Sequence, residues 1–79
     1  MKVTVIPGDH WIRRDDQAVT LPNWPFDDAN IHAIQWEGDA GEMEFKGNPR
    51  PGNETFTDAE RLAPYLEAMD EYLLSLAAE

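Results

Sequence analysis

The sequence predicts a small α+β domain, in which an antiparallel sheet of two hairpins and an N-terminal strand is covered by one C-terminal helix. Residues 31–45 alternate between apolar and polar side chains on either side of a Gly-Asp-Ala-Gly loop, and residues 10–21 repeat the pattern around Arg-Asp-Asp. After Thr57 the apolar spacing becomes helical. Because 79 residues have room for only one core, we expect a single domain spanning residues 1–79.

The hairpin of residues 31–45 is predicted to have one apolar and one acidic face. A four-residue loop at 38–41 would place Glu37 opposite Glu42, and the same register gives two apolar pairs: Trp36 with Met43, and Ile34 with Phe45. Since side chains alternate across a strand, these apolar residues share one face. The opposite face would carry Gln35, Glu37, Glu42 and Glu44.

The N-terminal part is predicted to supply the first strand and the other hairpin. Residues 2–6 alternate and are rich in β-branched side chains, and Pro7-Gly8-Asp9 is turn chemistry that ends the strand. Arg13 and Arg14 lie next to Asp15 and Asp16, and we expect these opposite charges to compensate each other locally in the loop and not to form a binding site. The residues of this hairpin available for burial are Trp11, Ile12, Val19 and Leu21.

Two irregular segments separate the elements. Two prolines within residues 22–30 remove donors that a sheet interior needs, so this stretch is predicted to be a connector with Trp24 and Phe26 against the core. Residues 46–53 contain two prolines and two glycines and form a loop, after which residues 54–57 can add a brief extended segment.

The helix has two possible starts. Thr57 and Glu60 have the spacing of a capping box, which would begin a helix at Thr57 with a kink at Pro64. Alternatively, residues 58–62 form a separate turn and the helix starts near Pro64, which we favour because proline fits a first helical turn. One helical arc is apolar: Leu62, Tyr65, Leu66, Met69, Tyr72, Leu73 and Leu76. The predicted core comprises Trp36, Phe45, Leu66, Met69 and Leu73.

Composition bears on function mainly through charge. Six basic residues stand against sixteen acidic ones, for a net charge of −10, so direct binding to nucleic acid or to an anionic membrane is not expected. The absence of cysteine excludes disulfides and thiolate metal sites. No apolar run has the length of a membrane span, and the N-terminus lacks the features of a signal peptide, so a cytoplasmic location is expected.

The sequence contains few residues in patterns that are typical of catalytic or metal sites. Ser75 is the only serine and lacks the setting of a nucleophile, and His10 and His32 do not have a metal-ligand spacing. Glu37, Glu42 and Glu44 could in principle hold Ca²⁺, but no EF-hand spacing supports this. We therefore expect a non-enzymatic protein without a cofactor or metal, and we take these three glutamates as candidate partner-binding residues.

Several segments between Ile31 and Tyr72 form a distinctive set: Ile31-His32-Ala33-Ile34-Gln35-Trp36, Gly38, Gly41-Glu42-Met43-Glu44-Phe45, Asn53-Glu54-Thr55 and Pro64-Tyr65. Through these segments most of the chain resembles a group of small uncharacterised phage and prophage proteins encoded near tail and tail-fibre genes. The match is looser in the N-terminal hairpin, where Asp15-Asp16 replaces the more usual Asp-Gly turn. The resemblance implies a phage context, in the cytoplasm of the bacterial host or in the virion, and implies no catalytic residues.

Two functions fit these observations. The first is a minor tail-associated or tail-fibre assembly component that acts by protein–protein contact with a tail or tail-fibre polypeptide. The second is an acidic nucleic-acid mimic that occupies the basic groove of a host DNA-binding or defence protein. A mimic needs carboxylates spaced like phosphates along one continuous surface, so the arrangement of charge distinguishes the two.

Overall fold

A computed structural model describes residues 1–78 and contains six strands and one α-helix. Two 3₁₀ turns, Pro7–Asp9 and Ala59–Leu62, complete the regular structure. The elements are β1 (Lys2–Ile6), β2 (Trp11–Arg14), β3 (Gln17–Thr20), β4 (Ile31–Glu37), β5 (Ala40–Phe45), β6 (Glu54–Phe56) and α1 (Ala63–Ala77).

All six strands form one antiparallel sheet in the order β3-β2-β1-β4-β5-β6. The N-terminal strand β1 therefore lies between the two predicted hairpins and joins them through backbone pairing on both sides. The brief extended segment predicted after the second loop is present as β6 and forms one edge of the sheet. The predicted fold class, an antiparallel sheet with one C-terminal helix, is confirmed.

The β4–β5 hairpin differs from its predicted register. Glu37 pairs with Ala40 and Trp36 with Gly41, so the loop contains only Gly38 and Asp39. Gly38 has a left-handed φ of 70°, which lets a two-residue loop reverse the chain without a β-carbon clash. The loop is two residues shorter than predicted, so the pairing register of β4 with β5 is shifted by two residues. Because side chains alternate with a period of two, this shift changes the cross-strand partners but leaves each side chain on its predicted face. Ile34, not Trp36, pairs with Met43, and an irregularity between Ile31 and Ala33 lets Ile31 pair with Phe45.

The β2–β3 hairpin has the predicted strands and a two-residue Asp15-Asp16 loop. Asp15 supplies the left-handed residue, with φ of 55°. Its side chain accepts a hydrogen bond from the backbone nitrogen of Lys2 at 2.9 Å, and its own backbone nitrogen donates to the Lys2 carbonyl at 2.7 Å. The turn is thus anchored to the neighbouring strand β1 and not only to its own hairpin.

The prediction of local charge compensation in that turn was wrong for Arg14. Its guanidinium donates to the Asp70 carboxylate in α1 at 2.7 Å, across 56 positions of sequence. Arg13 stays local, because its Nε donates to the Asp15 carbonyl at 2.8 Å. The Arg14–Asp70 pair links the helix to β2, a contact that sequence spacing alone does not reveal.

The helix begins as the favoured alternative predicted. Ala59–Leu62 is a separate 3₁₀ turn, and α1 starts at Ala63 with Pro64 in its first turn. The Thr57 capping box was wrong: Asp58 is the cap of the 3₁₀ turn, and its carboxylate accepts from the Glu60 backbone nitrogen at 3.0 Å. The helix preceding Pro64 is interrupted because proline cannot supply the hydrogen bond that a continuous helix would need there.

The core lies between the helix and one face of the sheet. Of the five predicted core residues, Trp36 and Met69 are buried, whereas Phe45, Leu66 and Leu73 are half-buried at its margin. The connector packs Trp24 and Phe26 against this core, as predicted. The buried apolar residues are Val3, Val5, Ile12, Val19, Leu21, Ala33, Ile34, Trp36, Met43, Phe56, Leu62, Tyr65 and Met69.

Candidate binding surface

One face of the sheet has no helix over it, and we call it the open face. Alternation assigns its residues: Val3, Val5 and Ile12 point to the core and are buried, so their neighbours in sequence point the other way. Strand pairing then aligns side chains across all six strands, because Arg13 pairs with Thr4, and Thr4 with Gln35. The open-face residues are Lys2, Thr4, Ile6, Trp11, Arg13, Ala18, Thr20, Gln35, Glu37, Ala40, Glu42, Glu44 and Thr55.

The three candidate glutamates lie together on this face. Glu42 is opposite Gln35, Glu44 is opposite Ala33, and Glu37 closes the hairpin beside Ala40. Glu37 is exposed, while Glu42 and Glu44 are half-buried. The Asn53 side-chain amide donates to the Glu42 carboxylate, which ties the loop before β6 to the same surface.

Basic residues share the open face with these acids. Lys2 pairs directly with Glu37 in the sheet register, and Arg13 lies in the same cross-strand row as Glu42. The open face is therefore acidic on the β4–β5 hairpin and basic toward β1 and β2. Over this surface the twisted sheet forms a shallow depression of about 520 Å³, and a smaller one of about 110 Å³ adjoins it at Lys2 and Thr4.

Two large apolar residues lie on the mainly polar open face, and sequence reasoning missed their role. Trp11 pairs with Ile6 in the register of β1 with β2, and both side chains are half-exposed on the open face. We had expected Trp11 to be available for the core, but Ile12 takes that place and is fully buried. The alternation of residues 10–14 contained the signal, since adjacent residues of a strand cannot both face the core.

A separate group of hydrogen-bonded side chains holds the connector, residues 22–30, against the helix. Asp28 is only 5% exposed, and its carboxylate accepts from Trp24 Nε1 at 2.9 Å and from the Tyr65 hydroxyl at 2.7 Å. Burial, together with the hydrogen bond to Asp28, raises the pKa of the Tyr65 phenol above its usual value near 10. The Tyr65 hydroxyl therefore stays protonated and donates a hydrogen bond to the Asp28 side chain, which supplies the partner that a buried polar group requires.

Aromatic rings surround this cluster. Trp24 stacks on His10 with ring centroids 5.5 Å apart, and Phe26 packs against Tyr65 at 4.4 Å. A surface cavity of about 260 Å³ lies beside them, lined in part by His10 and Lys46. Both Asp28 oxygens already accept hydrogen bonds, so we assign the cluster a structural role in holding residues 22–30.

The serine and the two histidines that were considered as reactive or metal-binding residues each lie in a different structural setting. The Ser75 hydroxyl donates to the Tyr72 carbonyl at 2.7 Å within the helix. His10 lies with Nδ1 at 3.3 Å from the Leu21 carbonyl, and His32 is exposed. Within residues 1–78, no group of three or more His, Cys, Asp or Glu side chains is arranged to hold a metal ion. No helix of the described chain is long and apolar enough to cross a membrane.

No protein-family model matches the chain, and no curated protein or solved structure matches it either. What the protein does must therefore be inferred from its own surface.

Proposed function

We propose that this protein is a non-enzymatic, phage- or prophage-derived protein that binds a protein partner through the open face. The observation that carries the proposal is a pair of large apolar residues, Trp11 and Ile6, on a mainly polar sheet surface that no helix covers. Tryptophan is enriched among the residues that dominate binding energy at interfaces, where it is surrounded by polar contacts. The half-exposed pair supplies an anchor of this kind.

The acidic side chains of the β4–β5 hairpin favour a partner with a basic surface. Glu37, Glu42 and Glu44 project from one half of the open face, in a chain with a net charge of −10. Such a surface speeds encounter with a basic polypeptide and disfavours acidic ones. The partner is accordingly a protein with a basic contact surface. The resemblance to proteins encoded near tail and tail-fibre genes makes a tail or tail-fibre polypeptide the first candidate, with a role in the minor tail or in tail-fibre assembly.

The nucleic-acid mimic is the less favoured alternative. Lys2 and Arg13 share the open face with the glutamates, so the acids there do not form an uninterrupted phosphate-like row. That mixture suits a protein interface better than the basic groove of a DNA-binding protein.

The test is capture of partners from phage-producing cells by the tagged 79-residue chain. We expect a tail or tail-fibre polypeptide, and we expect Glu42→Lys combined with Glu44→Lys to weaken its capture while the circular dichroism spectrum is unchanged. The matched control is Glu60→Lys with Glu67→Lys, the same charge change on exposed residues of the helical side. A control variant that loses as much binding would place the contact elsewhere. Recovery of only a host DNA-binding protein, displaced by added DNA, would favour the mimic.

A further inference from the structure

The outer edge of β3 presents unpaired backbone groups. Within residues 1–78, β3 pairs only with β2. The backbone nitrogen of Leu21 donates to the His10 carbonyl at 2.9 Å, and Arg14 pairs with Gln17 around a two-residue turn. Hydrogen-bonded and non-hydrogen-bonded pairs alternate along an antiparallel ladder. Ala18 and Thr20 therefore belong to non-hydrogen-bonded pairs and direct their N–H and C=O groups away from the sheet.

The other edge of the sheet is protected. Strand β6 has three residues, and Arg61 crosses it, with its guanidinium 2.8 Å from the Glu54 carboxylate and 5.1 Å from the Phe56 ring centroid. Short length and a charged side chain are devices that discourage pairing at an edge. Strand β3 has neither charge nor proline in its Gln-Ala-Val-Thr sequence, so it is the edge open to a further strand.

The C-terminal end of α1 points toward this open edge. Arg61, just before the helix, contacts β5 and β6, whereas Asp70 bonds Arg14 in β2, so the helix runs across the strands toward β3. The residues from Glu71 to Ala77 continue for roughly 10 Å at 1.5 Å each, and neighbouring strands are only about 4.8 Å apart. Leu76 lies on the same arc as the buried Met69 but is 47% exposed. Because β3 is the last strand of the sheet on this side within residues 1–78, we infer that the end of α1 lies beyond the sheet.

We propose that the β3 edge and the projecting end of α1 together form a docking site for an extended, basic segment of a partner protein. The segment adds a seventh strand: its backbone pairs with Ala18 and Thr20, and alternate apolar side chains cover Leu76 and the half-buried Leu73. The site is separate from the open-face contact and does not depend on it.

Acidic residues at both ends of the β3 edge favour a basic segment as the occupant of this docking site. Asp16 lies at one end of the β3 edge, and Glu71 lines a groove with Leu21 and Pro22 at the other. A basic strand would meet an acid at each end. A second copy of this chain, paired antiparallel, would bring Asp16 of each copy toward Glu71 of the other, in molecules that each carry a net charge of −10. Like charges make that pairing unfavourable, so the partner is a basic segment.

The direct test uses a labelled peptide with alternating lysine and valine, about seven residues long, to match the pairing length of a short strand, added to the whole chain at low ionic strength. We expect saturable binding by fluorescence anisotropy, and protection of the Ala18 and Thr20 amides from hydrogen exchange. A peptide with glutamate in place of lysine should not bind. A peptide of the same composition with its lysines and valines in two blocks should bind more weakly.

Two matched pairs of variants locate the site. Ala18→Pro removes an outward N–H without loss of a ladder bond and should weaken binding by about fivefold or more, whereas Thr55→Pro makes the equivalent change on the β6 edge and should leave binding unaltered. Leu76→Gln should weaken binding, whereas Leu74→Gln should not, because Leu74 is 71% exposed and lies off the apolar arc.

Three results would overturn the proposal. The first is failure of the alternating peptide to bind, and the second is binding that leaves the Ala18 and Thr20 amides unprotected. The third is a dimer in sedimentation equilibrium that Ala18→Pro dissolves, which would show that a second copy occupies the edge. Open-face variants at Glu42 and Glu44 provide a separate readout, since they leave the β3 edge intact.

Discussion

The hydrogen bond between Tyr65 and Asp28 makes a quantitative prediction about how the connector is held. Tyr65→Phe removes the 2.7 Å donor to a carboxylate that is 5% exposed. A hydrogen bond to a charged group contributes about 1.5–3 kcal/mol, so we expect this loss in the free energy of unfolding. Asp28→Ala leaves the buried Tyr65 hydroxyl without its acceptor, at a cost of about 1–3 kcal/mol, and the half-buried Trp24 Nε1 loses the same partner.

The double variant, Asp28→Ala with Tyr65→Phe, separates the energy of the hydrogen bond between these two residues from the other effects of each substitution. In the Asp28→Ala background the Tyr65 hydroxyl has lost its acceptor, so its further removal by Tyr65→Phe should cost almost nothing. The sum of the two single costs should therefore exceed the cost of the double variant by the Tyr65→Phe cost, about 1.5–3 kcal/mol, a coupling typical of residues in direct contact.

Urea unfolding followed by tryptophan fluorescence measures these differences, because Trp24 belongs to the cluster. Ser75→Ala is the matched control for loss of a hydroxyl, since Ser75 is exposed and bonds only within its helix; we expect a change under about 0.5 kcal/mol. Costs at positions 28 and 65 that simply add would refute the assignment of Asp28 as the residue that fastens the connector to α1.

Further predictions concern packing and ionisation. Trp36→Ala should cost about 3–5 kcal/mol in chemical denaturation; a loss under about 1 kcal/mol would contradict the burial of this side chain. Gly41→Ala should cost about 1–3 kcal/mol, because a β-carbon there would lie 2.7 Å from Phe56 Cζ and 2.8 Å from Trp36 Cε3; an unchanged urea midpoint would argue against this close approach. Since the pKa of Tyr65 is raised, its contribution to stability should be fully present below about pH 10 and lost as pH rises toward the folded pKa, and ultraviolet titration should detect one tyrosine that ionises late. The hydrogen bond from Arg14 lowers the pKa of Asp70, so the stability it contributes should be present above the usual carboxyl range and lost as pH falls through the lowered value. Arg14→Gln should return the Asp70 pKa, measured by NMR, to its ordinary value, and no change would mean that the ion pair does not persist in solution.

The candidate surface was predictable only in part. Glu37, Glu42 and Glu44 were assigned to one face from alternation alone, and that assignment held although the loop is two residues shorter than expected. The basic neighbours Lys2 and Arg13 were not predictable, because they reach that face through the insertion of β1 between the two hairpins. Strand order depends on long-range pairing, which local periodicity does not encode.

The strands, their faces and the helix follow from local patterns along the chain. Period-two alternation specified the strands and their faces, the change to helical spacing specified α1, and Pro64 placed the start of the helix, because each depends on neighbours within a few residues. Which distant groups meet depends on how these elements pack together. Arg14 with Asp70, Asp28 with Tyr65, and the free edge of β3 beside Leu76 arise from packing the sheet, the connector and the helix against one core, where burial forces polar groups to find partners across the chain.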